Sequence, residues 1–169
     1  MARSKRSPQA PERRDVGTVR EAIRQGVPFR TDSHEALLTL LMTSEKIHWP
    51  YQELFAEHDL TPQQFNVLRI LRGAGKAGLP TLEIADRMVQ RTPGITRLLD
   101  RLERKEWVLR TRSPQDRRQV LCAITDQGLS LLERLDDLVD DLDARALEPL
   151  TEAETRKLIR LLDKVRTHV

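Results

Sequence analysis

Cysteine is nearly absent from this chain of 169 residues: Cys122 stands alone. An internal disulfide framework and a four-cysteine zinc site are therefore excluded. No apolar run approaches the roughly 18 residues that a membrane-spanning helix needs. The basic N-terminus has no apolar stretch behind it, so it does not read as a secretory signal. No two of His34, His48, His58 and His168 stand at i, i+4 on one helix, so the local signal of a zinc site is missing. There is no nucleophile elbow either. Gly73-Ala74-Gly75-Lys76-Ala77-Gly78 does match G-x-G-x-x-G, but it follows a helical pattern and opens no βαβ unit. These absences describe a soluble, cytoplasmic chain that is not an enzyme and needs no metal or other cofactor.

What is present is charge. Hydrophobic residues make up 38% of the chain, too many for a disordered one, and charged residues 33%. The length suits one main domain. The net charge of +3 hides a strong segmentation. Residues 1–30 carry eight basic and three acidic side chains, and residues 87–118 carry ten and four. Residues 31–86 carry four and eight, and residues 119–169 seven and eleven. A basic block inside a folded region is the footprint of a polyanion-binding face, although a solvated arginine-rich helix has the same composition.

Hydrophobic spacing predicts the elements. Residues 1–31 read as a flexible basic extension, with room for a short helix over 16–25. Asp32 and Glu35 form a capping-box pattern ahead of a helix through Phe55, which Pro50 should kink or split. Thr61-Pro62-Gln63-Gln64 starts a second helix with hydroxyl cap, first-turn proline and reciprocal glutamine. Thr81 can cap a short third helix. Thr92-Pro93 opens a fourth, with Ile95, Leu98, Leu99 and Leu102 at i, i+3, i+4 and i+7. Trp107–Thr111 and Gln119–Ile124, separated by a polar basic loop, read as a β-hairpin. Thr125-Asp126 starts a long helix that Pro149 ends, and Thr151 with Glu154 caps the last one.

That order is the plan of a winged helix-turn-helix, mainly α with a small β-hairpin wing. A recognition helix suits the major groove, where arginine pairs with guanine and threonine bonds a base or touches a thymine methyl. Arg91, Thr92, Thr96, Arg97 and Arg101 lie on the end and face that would meet DNA. Arg117 and Arg118 on the hairpin would reach a neighbouring minor groove or phosphate. Asp116 is unusual in a cationic loop and reads as orienting one arginine by a charge-assisted bond.

Three stretches carry a family resemblance. Leu60-Thr61-Pro62-Gln63-Gln64-Phe65-Asn66-Val67-Leu68 is similar to the start of the second helix in the MarR (multiple antibiotic resistance regulator) family. Pro93-Gly94-Ile95-Thr96-Arg97-Leu98-Leu99-Asp100-Arg101-Leu102-Glu103 resembles that family's recognition helix. Ser113-Pro114-Gln115-Asp116-Arg117-Arg118, then Ile124-Thr125 and Gly128, resembles its wing. The resemblance covers residues 32–169 as one MarR-like domain. It implies a DNA-binding lobe at about 60–125 and a helical dimerisation platform at about 32–58 and 126–168.

The resemblance implies a homodimer on a pseudo-palindromic operator in double-stranded DNA, a repressor released by a small-molecule effector. Arg97 becomes the recognition-helix arginine, one of Arg117 and Arg118 enters the minor groove, and Asp100 holds a wing arginine. Leu135, Leu138, Leu142, Leu158 and Leu162 would line the dimer interface. Trp49, Tyr51, Phe55 and Phe65 could frame a pocket for a small aromatic effector, since related regulators bind such molecules near the junction of platform and lobe. Aromatics at helical spacing also build plain core. Two positions depart from the family: Glu106 stands where a glycine usually follows the recognition helix, and Gly94 where a polar residue often faces DNA. Cys122 falls in a hairpin strand, where a small buried side chain suits packing better than redox sensing. A structural DNA-binding protein of low sequence preference and a metal-responsive regulator of the same fold are the rival readings.

Overall fold

Hydroxyl caps decide where most helices start. Thr61 sits in extended backbone, accepts the Gln64 amide on its side chain and donates its own N–H to Gln64 Oε1 at 2.9 Å. Thr151 with Glu154 and Thr18 with Glu21 repeat this reciprocal pairing, and Thr125 accepts the Gly128 amide. Each satisfies backbone donors that the first helical turn leaves unpaired.

The computed structural model describes residues 17–90, 94–114, 116 and 118–168. Most of the basic extension (residues 1–16), together with Arg91, Thr92 and Arg117, lies outside them. The helices are α1 (Val19–Ala22), α2 (Asp32–Glu57), α3 (Pro62–Ala74), α4 (Thr81–Arg87), α5 (Ile95–Arg104), α6 (Asp126–Leu147) and α7 (Glu152–Arg166). Strands β1 (Leu79–Pro80), β2 (Val108–Arg112) and β3 (Val120–Ile124) form an antiparallel sheet in the order β1-β3-β2. The hairpin expected from sequence is β2–β3. The added strand β1 is two residues long and ends in proline, too short for a periodicity to register.

Four local expectations need correcting. The helix expected to open at Thr92-Pro93 starts at Ile95, with Gly94 as its N-cap. Asp32 is already helical, and the hydroxyl of Thr31, one residue earlier, takes the His34 amide at 3.2 Å. Thr81 does not cap α4; Pro80 occupies that position, and Thr81 Oγ1 lies 3.9 Å from the Cys122 sulfur. Pro50 does not split α2, which runs through it.

Contacts divide the chain into two units, one ending at Lys46 and one beginning at Ile47. In the first, the Phe29 ring meets His34 edge-on at 5.5 Å, and Leu37, Leu40 and Leu41 of α2 are exposed. The second holds the core. Val67, Leu68 and Leu71 of α3 have no exposed surface, nor do Ile84 of α4, Leu99 and Leu102 of α5, or Leu132 and Leu135 of α6. Val108 and Cys122 close the core from the sheet. Burying each large aliphatic side chain contributes about 1.5–3 kcal/mol, so α3 is the rod on which the other elements are set.

The exit from α5 shows why local geometry matters here. Glu106 takes a left-handed conformation, φ 58°, and donates its N–H to Glu103 O at 2.9 Å. Trp107 N–H then reaches Leu102 O at 3.1 Å, which completes a Schellman termination. Thr125 clamps this turn to α6: its hydroxyl donates to Glu106 O at 2.6 Å and its amide to Trp107 O at 3.1 Å. A side chain at Gly128 would place its Cβ 2.5 Å from Trp107 O, so α6 can approach only without one.

Two outcomes follow for unfolding in urea. Glu106→Gly should raise stability by about 1 kcal/mol, because glycine adopts the left-handed turn without strain. Gly128→Ala should lower it by about 1–3 kcal/mol through the clash with Trp107 O. Unchanged midpoints would contradict both readings of the turn.

Candidate nucleic-acid interface

Gly94 begins the interface. It takes φ 85° at the N-cap of α5, a conformation that favours glycine, with open space around the missing Cβ. The departure read from sequence as a lost base contact is thus also a backbone requirement. Beyond it, Leu99 and Leu102 are buried while Ile95 and Leu98 pack against the core. That anchoring turns Thr96, Arg97, Arg101 and Arg104 outward on the opposite side. Arg101 and Arg104 occupy the last turn, where positive charge complements the helix dipole.

The hairpin is locked to this helix by Arg110, a residue the sequence reading passed over. Its side chain is 19% exposed. Nη1 donates to Asp100 Oδ1 at 2.7 Å and Nη2 to Thr96 O at 3.1 Å. Nε is buried without a hydrogen bond, and Glu103 Oε2 stands 3.6 Å away as an ion-pair partner. Asp100 therefore grips an arginine of strand β2. A signal existed: Val108 and Arg110 alternate onto the sheet face that meets α5, and Asp100 and Glu103 lie one turn apart on that helix.

Asp116 is tied into the backbone of the loop, while Arg117, one of the arginines it was expected to orient, lies outside the described residues. Its Oδ1 accepts the backbone amide of Arg118 at 2.9 Å, two residues on, and its own amide donates to Ser113 Oγ at 3.3 Å. Gln119 N–H reaches Asp116 O, and Ser113 N–H reaches Gln119 O, both at 2.9 Å. Asp116 shapes the loop backbone rather than a guanidinium of the described residues, because an aspartate bonds most easily to an amide two residues ahead. Arg118 is exposed on this loop. Among the described residues, Arg97, Arg101, Arg112 and Arg118 are exposed and enter no ion pair, whereas Arg87 pairs with Glu83.

The turn before α5 is tied to α3. Asn66 Oδ1 accepts the Val89 amide at 3.0 Å, and Gln63 Nε2 donates to Gln90 Oε1 at 3.4 Å. These contacts set the path of the chain towards the recognition helix from the most buried helix of the lobe.

The aromatic set is divided in role. Phe55 and Phe65 stack on each other at 4.3 Å and are nearly fully buried, so they belong to the core. Tyr51 hydrogen-bonds Asp143 of α6, and burial, reinforced by that carboxylate, pushes its phenol well above the usual range. Trp49 is 52% exposed. Burial likewise raises the Cys122 thiol, against the opposing pull of Thr81 and Arg110. A fully buried, protonated thiol is a poor nucleophile. Among the described residues no group of three or more His, Cys, Asp or Glu could hold a metal ion, and no helix is long and apolar enough to cross a membrane.

The five leucines assigned to an interface separate as well. Leu135 is fully buried in its own core, Leu142 and Leu158 are half-buried, and Leu138 and Leu162 are 42% and 40% exposed. Leu135 faces inward because it falls on the α6 stripe with Leu131, Leu132 and Val139.

A profile described as the MarR family matches residues 60–120, from the start of α3 to the wing. The multiple antibiotic resistance protein MarR of Escherichia coli K12 is 34% identical over 125 residues, 73% of this chain and 85% of its own. A crystal structure of a MarR mutant from E. coli complexed with operator DNA aligns with TM-score 0.67 and 34% identity, covering 75% of this chain and 89% of that one. A MarR transcription factor from Planctomyces limnophilus aligns with TM-score 0.62 and 42% identity, covering 80% and 98%. These relatives are transcription regulators, not enzymes. With the winged helix-turn-helix core matched in sequence and most of the chain matched in structure, this protein belongs to the MarR family of transcriptional regulators.

Proposed function

We propose that this protein binds double-stranded operator DNA as a homodimer and represses neighbouring genes until a small aromatic effector releases it. The observation that carries the reading is the outward arginine face of α5, held to the wing by Arg110. In the free protein Arg97 and Arg101 are exposed and have no acidic partner among the described residues, which leaves them available to guanine edges or phosphates. Arg118 of the wing is exposed as well, and in the sequence Arg91 and Thr92 precede this helix and Arg117 precedes Arg118, which assigns all four to DNA contact in this reading.

A second copy is the partner that the last helices call for. α7 is a capped helix of 15 residues in which none is buried, and Ile159, Leu161, Leu162 and Val165 are all at least 40% exposed. A helix this short is marginal alone in water, so its apolar side chains need a covering surface. Leu138 and Leu147 of α6 add to the exposed set. Twofold pairing would present two recognition helices to half-sites about one helical turn apart on a pseudo-palindromic site. For release, the half-buried Tyr51 ring lies 6.2 Å from the buried Phe55, which stacks on Phe65, and the exposed Trp49 stands two residues before Tyr51 on the same helix. A ligand bound there acts by preferring one arrangement of the two lobes.

Three measurements check the reading. Arg97→Ala should weaken binding to a selected operator by about 1–3 kcal/mol and relax base preference at one position, as read by fluorescence anisotropy. Arg118→Ala should lower the slope of log Kd against log salt by about 1; equal slopes would remove it from the phosphates. Leu162→Asp should give a folded monomer in sedimentation equilibrium, whereas Leu135→Asp should unfold the lobe. A Leu162→Asp protein that stays dimeric would put the interface elsewhere.

A further inference from the structure

Among the large apolar side chains of the described residues, Val89 is the most exposed, at 85%. Single apolar side chains on a surface are ordinary. Val89 differs in where it sits and how it is held. It follows the extended Met88 that closes α4, in the turn leading to the recognition helix. Its backbone N–H is bonded to Asn66 Oδ1 at 3.0 Å, and Asn66 stands on α3 between the buried Phe65 and Val67. The neighbouring Gln90 is linked to Gln63 of the same helix. A β-branched side chain has little χ1 freedom, so the pinned backbone fixes where its methyl groups point.

We propose that Val89 is a specificity-determining residue that reads the 5-methyl group of a thymine in the major groove, with Asn66 as its positioning residue. The inference rests on the DNA-binding reading above. A turn of this kind ordinarily favours glycine or short polar residues, and an exposed valine contributes little to folding. On the major-groove edges of the four bases, the thymine methyl is the apolar group. A valine held rigidly at the approach to α5 meets that group without the entropy cost of ordering a long side chain. The arginines of α5 cannot make this distinction, because their hydrogen bonds are directed at base acceptors and phosphates.

The test uses the full chain and a duplex site selected from a random-sequence pool. Each thymine of the site is replaced in turn by deoxyuridine in both half-sites, which deletes only the 5-methyl group. Kd is measured by fluorescence anisotropy for the wild type, Val89→Ala, Asn66→Ala and Asn66→Asp. At one position the wild type should lose about fourfold per methyl contact, and Val89→Ala should lose nothing. Asn66→Ala should also fail to discriminate there. Asn66→Asp keeps the acceptor and should keep the ratio of the two affinities even if both fall, which a merely structural role would not require. Equal deoxyuridine penalties for wild type and Val89→Ala at every position overturn the assignment and leave DNA binding standing, as does a selected site without thymine. A pool that yields no preferred sequence overturns the DNA-binding reading and the Val89 assignment together.

Discussion

The interface depends on one arginine. Arg110 lies on a strand of the wing, yet it donates to the Asp100 carboxylate and the Thr96 carbonyl of the recognition helix, with Glu103 beside it as an ion-pair partner. A half-buried guanidinium needs such partners, since an unpaired charge removed from water is costly. Its planar fork suits the task better than a lysine, because it addresses a side chain and a backbone carbonyl at once. The consequence is mechanical. The helix that would enter one groove and the hairpin that would reach the next are joined as one body, so their spacing belongs to the protein before any DNA arrives.

The same body continues into α6. The left-handed turn at Glu106 ends the recognition helix, Thr125 bonds both Glu106 and Trp107, and Gly128 admits the Trp107 carbonyl against the first turn of α6. Further along α6, Asp136 pairs with Arg72 of α3 at 2.7 Å, and Asp143 takes the Tyr51 hydroxyl of α2. A surface ion pair such as Arg72–Asp136 contributes little to stability. The value of these contacts is registration: the long acidic helix is tied to α3 and α2 by specific partners. Shifts of α6 therefore have a physical route to the end of α5, through the Thr125 clamp.

Much of this was legible beforehand where the deciding physics is local. The caps at Thr61, Thr125 and Thr151, the buried stripe of α5 and the strands of the wing depend on neighbours within a few residues, and they stand as the spacing predicts. Asp32 and Thr81 misled because two residue types competed for one cap and the choice was made by the chain's path outside the helix. For Asp116 the described residues show only a backbone role: its carboxylate takes the amide of Arg118, a contact that composition does not signal. Leu135 looked like its neighbours on α6; only the position of α3 decided that it faces inward.

The sequence by itself determined the order of the helices and the hairpin, the basic block on helix and wing, and the family resemblance, since periodicity, capping and charge are written along the chain. The tertiary structure alone decided which charges are already taken. It paired Arg110 with Asp100 and Arg87 with Glu83, and it left Arg97 and Arg101 exposed without an ion pair among the described residues. It also decided which apolar residues are core and which, among the described residues, remain exposed. Leu135 and Leu162 have the same chemistry and the same helical spacing, and they differ only in what packs against them. A contact between residues distant in sequence has no local signature, so these assignments had to wait for the fold.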